Sequence, residues 1–238
     1  MTSKKLFVIL SNYIPWKGYF DAINMVDEMV IHDDRQYTKN DWRNRNKIKT
    51  PNGLVWLSIP VKIKSSHLQK IEEAQVADPK WSKDHWNQLR ANYGKAAHFN
   101  TYKELFEDIY LKNTETYLSK INYRFITEIN KLLGIKTPIR WSGEFNLTEE
   151  EKNGRLIDLC KKTNTTEYYS GPAAKNYIDE SLFEKEGIKV HWLDYSNYPA
   201  YKQLYGEFVH EVSILDLIFN EGPNATKFMK SFNPNSTL

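Results

Sequence analysis

Residues 6–20 read LFVILSNYIPWKGYF. The apolar run Leu6–Leu10 stops at Ser11-Asn12, and a loop with Pro15 and Gly18 follows. Tyr19, Phe20, Ile23 and Val26 then recur at helical spacing. The next short apolar run is EMVIH, residues 28–32. Strand, helix and strand within about 27 residues predict a right-handed βαβ unit and a parallel sheet. In such sheets ligands bind outside the carboxyl ends of the strands. The amide and aromatic groups of residues 11–20 therefore mark a candidate site.

Working outward, Asn52-Gly53 sits between the alternating runs KIKT and LVWLSIPV, which predicts a hairpin limited by Pro60. Helices are expected over 78–94, opening at Asp78-Pro79, and over 102–110 and 118–133, the last closed by Gly134. A second α/β stretch starts near Pro138. Its expected elements are a strand at 139–142, a helix after a Thr148/Glu151 capping box, a strand at 167–170, a helix at 173–182, a strand at 188–193 and a helix at 212–219. The expected fold is α/β: a parallel Rossmann-like sheet over residues 1–225, with a β-hairpin, a helical insertion at about 78–135, and a flexible tail at 226–238.

Composition narrows the classes. Apolar residues are 40% of 238, enough for a core. No run of about 18 apolar residues exists, and no signal-peptide pattern opens the chain, so a cytoplasmic protein without membrane insertion is expected. Cys160 is the single cysteine and excludes an internal disulfide. Its place in an amphipathic pattern makes it a small core residue. With 33 basic against 30 acidic residues, the net charge of +3 does not favour non-specific nucleic-acid binding. Aromatic residues reach 14%, with 15 tyrosines and 7 tryptophans, which suits packing around sugar or base rings.

Four stretches could carry chemistry. The first gathers Asn12, Tyr13, Trp16 and Tyr19 near a helix N-terminus, a place that favours phosphate or carboxylate; it also fits an ordinary strand-to-helix turn. The second, DDRQYTKNDWRNRN (33–46), packs Asp33, Asp34, Gln36, Trp42, Arg43, Asn44 and Arg45 into one segment after a strand. Fork-shaped arginines grip phosphate, and paired carboxylates orient or deprotonate an amine. A charged loop held by its own salt bridges is the rival reading. The third, Ser170 to Lys175, offers a hydroxyl, a glycine and a lysine at a strand end without Walker spacing. The fourth, YKQLYGEF (201–208), offers Gln203, or else it docks a terminal helix. His85 and His98 are weaker proton-carrier candidates. No histidine pair has zinc-motif spacing, so no metal site is expected, and no GxSxG elbow marks a serine nucleophile.

SNYIPWKGYFD, DDRQYTKNDWRNRN followed by WLSIPV, SGPAAKNYID, and YKQLYGEF running into SILDLIFNEG together resemble the WbqC-like family, with Arg35 as a departure before the Gln-Tyr pair. The resemblance implies a sugar-nucleotide enzyme of O-antigen and related polysaccharide synthesis. Its expected reaction is N-acyl or N-aminoacyl (for example glycyl) transfer to the amine of a nucleotide-linked sugar such as dTDP-4-amino-4,6-dideoxyglucose. Expected partners are that nucleotide sugar and an acyl donor, including a carrier-bound or tRNA-bound one. On this reading Asp33 or Asp34 handles the amine with Asn12. Tyr13 and Gln36 hold polar groups, Arg43, Arg45 and Lys175 hold phosphate, and Trp16 and Trp42 stack on a ring. The first loop also has a looser likeness to the nucleotidyltransferase and class I synthetase superfold. It lacks the HxGH histidines, because Lys17 precedes Gly18 and Tyr19 follows it. No cofactor is firmly expected. ATP with magnesium belongs to the alternative of a ligase or nucleotidyltransferase, and a non-catalytic carbohydrate or nucleic-acid binding module is the third reading.

Overall fold

The computed structural model describes residues 3–63 and 69–233. Its centre is a five-stranded parallel sheet of β1 (Lys5–Ile9), β2 (Glu28–Ile31), β5 (Ile139–Trp141), β6 (Glu167–Ser170) and β7 (Lys189–Trp192), ordered β5-β2-β1-β6-β7. β1 lies in the middle, with Phe7 paired to Met29 on one side and to Tyr169 on the other. A strand walled in on both faces needs an unbroken apolar run, and LFVI supplies it. Phe7, Met29 and Ile31 point into one core; Leu6, Val8 and Val30 point into the other. This is the two-residue period of a strand.

The first core is covered by α1 (Lys17–Asn24) and by α2 (Trp81–Tyr93), α3 (Phe99–Leu111) and α4 (Leu118–Leu133), which follow β3 (Arg45–Thr50) and β4 (Gly53–Ser58) in the chain. The second core is closed by α5 (Lys152–Lys162) and α6 (Glu180–Lys185), and Cys160 is buried in it. β3 and β4 form the expected antiparallel hairpin. Its turn needs Gly53 at φ +101°, a backbone region closed to most side chains. α4 stops at Gly134 in the left-handed region.

The chain winds outward from β1 through β2 to β5, then returns to place β6 on β1's other side. That reversal between β1 and β6 is the topological switch point, where an open α/β sheet leaves a crevice.

Several boundaries differ from expectation. Asp78 accepts the Lys80 N–H (2.9 Å) and makes a turn, so α2 starts only at Trp81. Glu151, not Thr148, caps α5 by accepting from the Gly154 N–H (2.8 Å). The expected 173–182 helix is a 3₁₀ turn at Pro172–Asn176 followed by α6, because Asp179 takes the Ser181 N–H and starts a new helix. Ser213 caps α7 (Ile214–Glu221) two residues later than expected. Residues expected to fray pack instead: Met229 is fully buried, and the Lys230 and Ser231 N–H groups donate to the buried Asp21 carboxylate (2.7 Å each). Positions 234–238 of that expected tail lie outside the described residues.

Candidate functional site

Two cavities open at the switch point. One, of about 510 Å³, is walled by Trp16, Trp42, Tyr195 and Tyr198, with Asn12, Asn46, His210 and Glu211 as its polar lining. The other, of about 460 Å³, is lined by Leu10 and His32, just past the ends of β1 and β2, by Ser170 at the end of β6, and by Arg35, Arg43, Lys152 and Arg155. A hydrogen bond from Tyr13 N–H to the Trp42 carbonyl (3.0 Å) ties the two loops together. From this seam Trp42 lines the aromatic cavity and its neighbour Arg43 lines the cationic one. Gly171 stands beside Tyr195, whose hydroxyl would be in contact, at 3.4 Å, with a Cβ placed there.

The loop is held from beneath. Asn46 donates to the carbonyls of Tyr13 (3.2 Å) and Ile14 (2.9 Å), and Ile14 sits at φ +38°, a strained value for a β-branched residue. From α4, Asn122 donates to Ser11 Oγ (3.0 Å) and to the Arg43 carbonyl (2.9 Å). α4 thus braces the backbone at the end of β1 and at Arg43.

The electrostatics of the second cavity are one-sided. Arg43 is buried, its Nε has no partner in the protein, and its nearest carboxylate oxygen is Asp41 at 3.9 Å. Burial pulls its pKa below the ordinary arginine value, against Asp41, Tyr19 and Asp33. Arg35 Nε also lacks a partner. Asp34 accepts from Arg155 and Ser142 (2.9 Å) and pairs with Arg35 (3.3 Å) and His32 (3.3 Å). Burial opposes its ionisation, but His32, Ser142 and the two guanidinium groups outweigh it and hold its pKa below the usual range. Burial pushes His32 down to about 4, so its ring is neutral at pH 7. Among the described residues, no cluster of His, Cys, Asp and Glu is placed to hold a metal ion, and no helix is long and apolar enough to cross a membrane.

The model of the WbqC-like protein family matches residues 11–228, a span that holds the lining of the aromatic cavity and, apart from the β1 residues and Leu10, that of the cationic one. The chain belongs to that family. It is also similar to the uncharacterized protein Rv1507c of Mycobacterium tuberculosis, with 47% identity over 227 residues, 95% of this chain and 98% of the relative. No solved structure matches it.

In this WbqC-like protein the expected site residues divide. Asn12, Trp16 and Trp42 line the aromatic cavity, and Arg43 and Ser170 the cationic one. Asp34 and Gln36 line a third cavity of about 490 Å³, which shares Arg35 and Arg155 with the second. The others do not line these cavities. Tyr13 is a core residue, its hydroxyl shared with Tyr110 (2.7 Å) and His85 Nδ1 (2.9 Å). Tyr19 is buried and donates to the Leu10 carbonyl (3.3 Å). Asp33 is sealed by the Ser11 N–H (2.8 Å) and hydroxyl (2.6 Å) and by Ser119, and burial raises its pKa despite them. Asp33 is buried and ties the end of β1 to α4, lining none of these cavities. Asn44 bonds to the Ile59 carbonyl (2.9 Å) and Gln203 accepts from Lys49 (2.7 Å), both as internal braces. Arg45 lies over Trp56 (4.1 Å) on the hairpin, and Lys175 over Trp192 (5.3 Å). His85 is buried in the insertion, and His98 packs against Gly222.

Sequence reasoning missed His32, Arg35, Lys152, Arg155, Tyr195 and Tyr198 as cavity residues. A signal existed for two kinds of them. Tyr195 and Tyr198 follow the last strand of the sheet, where site loops belong. Arg155 is a charge set among the apolar positions of α5, and a buried charge asks for a partner.

Proposed function

We propose that this WbqC-like protein is an enzyme that transfers an acyl or aminoacyl group, such as glycyl, to the amine of a nucleotide-linked amino sugar of the dTDP-4-amino-4,6-dideoxyglucose type, a reaction suited to O-antigen assembly. The supporting observation is the pairing of a cationic cavity with an aromatic one across a shared wall at the switch point. A nucleoside-diphosphate sugar has the matching halves. Its diphosphate suits Arg43, Arg35 and Lys152, and the protein leaves the buried Arg43 Nε without a partner of its own. A ring suits the faces of Trp16 and Trp42.

Amide formation joins the amine nitrogen to the acyl carbon and breaks the bond from that carbon to the donor's leaving group, which takes the proton lost by nitrogen. The amine must be neutral and oriented. Asn12 Oδ1 is buried without a partner at the edge of the aromatic cavity, so it can accept from that amine or from a sugar hydroxyl. Asp34, held ionised between two guanidinium groups, is a weak base and acts as the anchor that aims Arg35 and Arg155.

A thermal-shift titration tests this. dTDP and dTDP-amino sugars should raise the melting temperature by mass action, and Arg43→Met should remove the response. Stabilisation by ATP and magnesium alone, with AMP or pyrophosphate released, would favour a ligase and overturn the transferase reading.

A further inference from the structure

We propose that the outer face of the β3–β4 hairpin is a platform for single-stranded RNA. Trp42 and Trp56 are 39% and 38% exposed, with ring centroids 5.4 Å apart and planes inclined by 47°. Leu54, on the same side of β4 as Trp56, is also exposed. Large aromatic faces open to water on a folded chain mark a contact surface.

Cations decide which contact. The Arg45 guanidinium lies 4.1 Å from the Trp56 ring centroid, and Lys47, directly across the ladder from Trp56, lies 5.1 Å from that ring and 5.9 Å from Trp42. Lys47 meets Glu211 (3.4 Å), a carboxylate that is itself largely exposed. Aromatic faces interleaved with basic side chains match a strand whose bases stack while its phosphates meet the charges. The same charges disfavour a second copy on this face, since a symmetric contact would press Arg45 and Lys47 towards their own equivalents.

Position supplies the direction. Trp42 belongs both to the platform and to the wall of the aromatic cavity, so an RNA end lying across Trp56 and Trp42 would deliver its terminus to that cavity. That the RNA carries the transferred acyl group rests on the reading in the preceding subsection; the platform itself does not.

The test uses the full chain and a fluorescein-labelled, unstructured oligoribonucleotide of about ten residues, followed by anisotropy between about 50 and 200 mM salt. The wild type should bind, Trp56→Ala should weaken binding about tenfold, and Arg45→Gln should lower the slope of log K against log salt by about 0.7. The same preparations are titrated with dTDP, which should bind all three proteins equally and so reports an intact fold. Absence of RNA binding by the wild type, or equal binding by Trp56→Ala, would overturn the platform. So would a dimer that Trp56→Ala dissociates. RNA failure with dTDP binding retained sinks the platform alone, whereas RNA binding without dTDP binding sinks the sugar-nucleotide reading alone.

Discussion

Arg43 is a buried charge with too few partners. Moving a guanidinium out of water costs several kcal/mol, normally offset by a carboxylate and a full set of hydrogen bonds. Here Asp41 stands 3.9 Å away and Nε is unpaired. A residue kept for its own stability would be better matched, so Arg43→Met should leave the unliganded protein as stable or raise its unfolding free energy by about 1 kcal/mol, while removing stabilisation by dTDP. Urea unfolding with and without dTDP checks both halves, and a loss of about 2 kcal/mol without ligand would make Arg43 a structural residue. His85 presents the opposite case, a polar group fully absorbed by the fold. It lies buried with Nδ1 2.9 Å from the Tyr13 hydroxyl, and burial pushes its pKa down to about 4. Below the ordinary 6.5 the unfolded chain gains a proton that the folded chain refuses. The unfolded state then binds more protons, so stability falls with falling pH between 6.5 and about 4. By pH 5 this amounts to about 2 kcal/mol, and His85→Asn should flatten that part of the stability–pH curve. An unchanged slope in the variant would remove the assignment.

Among the elements, α1 shows how a helix start is bent to the needs of a cavity. Gly18 lies in its first turn, where alanine would ordinarily stabilise by about 0.5–1 kcal/mol. A Cβ there would sit 2.2 Å from the Trp16 ring, which walls the aromatic cavity. Gly18→Ala should therefore destabilise by about 1–3 kcal/mol and weaken binding of a ring-bearing ligand, because the indole must leave its seat. A higher melting temperature for this variant would show that the indole moves freely. Elements of this kind were largely legible. The β1–α1–β2 unit and the hairpin rest on neighbouring residues, so periodicity and Asn52-Gly53 suffice. Tyr13 was misread because the groups that claim its hydroxyl, His85 and Tyr110, lie 72 and 97 positions away. Nothing near Asn12 announces them. The 173–182 segment failed for a local reason, since Asp179 competes for backbone N–H groups within an apolar pattern that still reads as helical.

On the scale of the molecule, the position of the crevice is legible in the sequence, and its lining is not. Strand order alone puts a crevice at the end of β1, but which side chains line it depends on α5, which brings the charges, and on the loop after β7, which brings the rings, and neither borders β1 in sequence. The chain ends are joined in the same non-local way, and this bears on the aromatic cavity. Asp21, on α1, is fully buried and accepts from the Lys230 and Ser231 N–H groups, while Met229 fills the core beside it. Lys230 also reaches the Asp194 carboxylate (3.3 Å) and lies 5.1 Å from the Tyr198 ring, beside the loop that walls that cavity. Removing residues 229–238 would open a hole where Met229 sat and take the Lys230 and Ser231 donors from the buried Asp21 carboxylate, leaving it the Tyr198 hydroxyl, together about 5 kcal/mol, a large share of the stability of a typical domain. The truncated chain should be folded only marginally at 25 °C. Asp21→Asn in the truncated background should recover part of the loss, since it removes the stranded charge, whereas in the full-length chain it should destabilise. Opposite signs of one substitution in two backgrounds would identify a buried carboxylate coupled to the chain terminus. The same sign in both, measured by urea unfolding, would mean that Met229 alone seats the terminal segment, and dTDP-sugar binding should then survive the loss of the Lys230 contact.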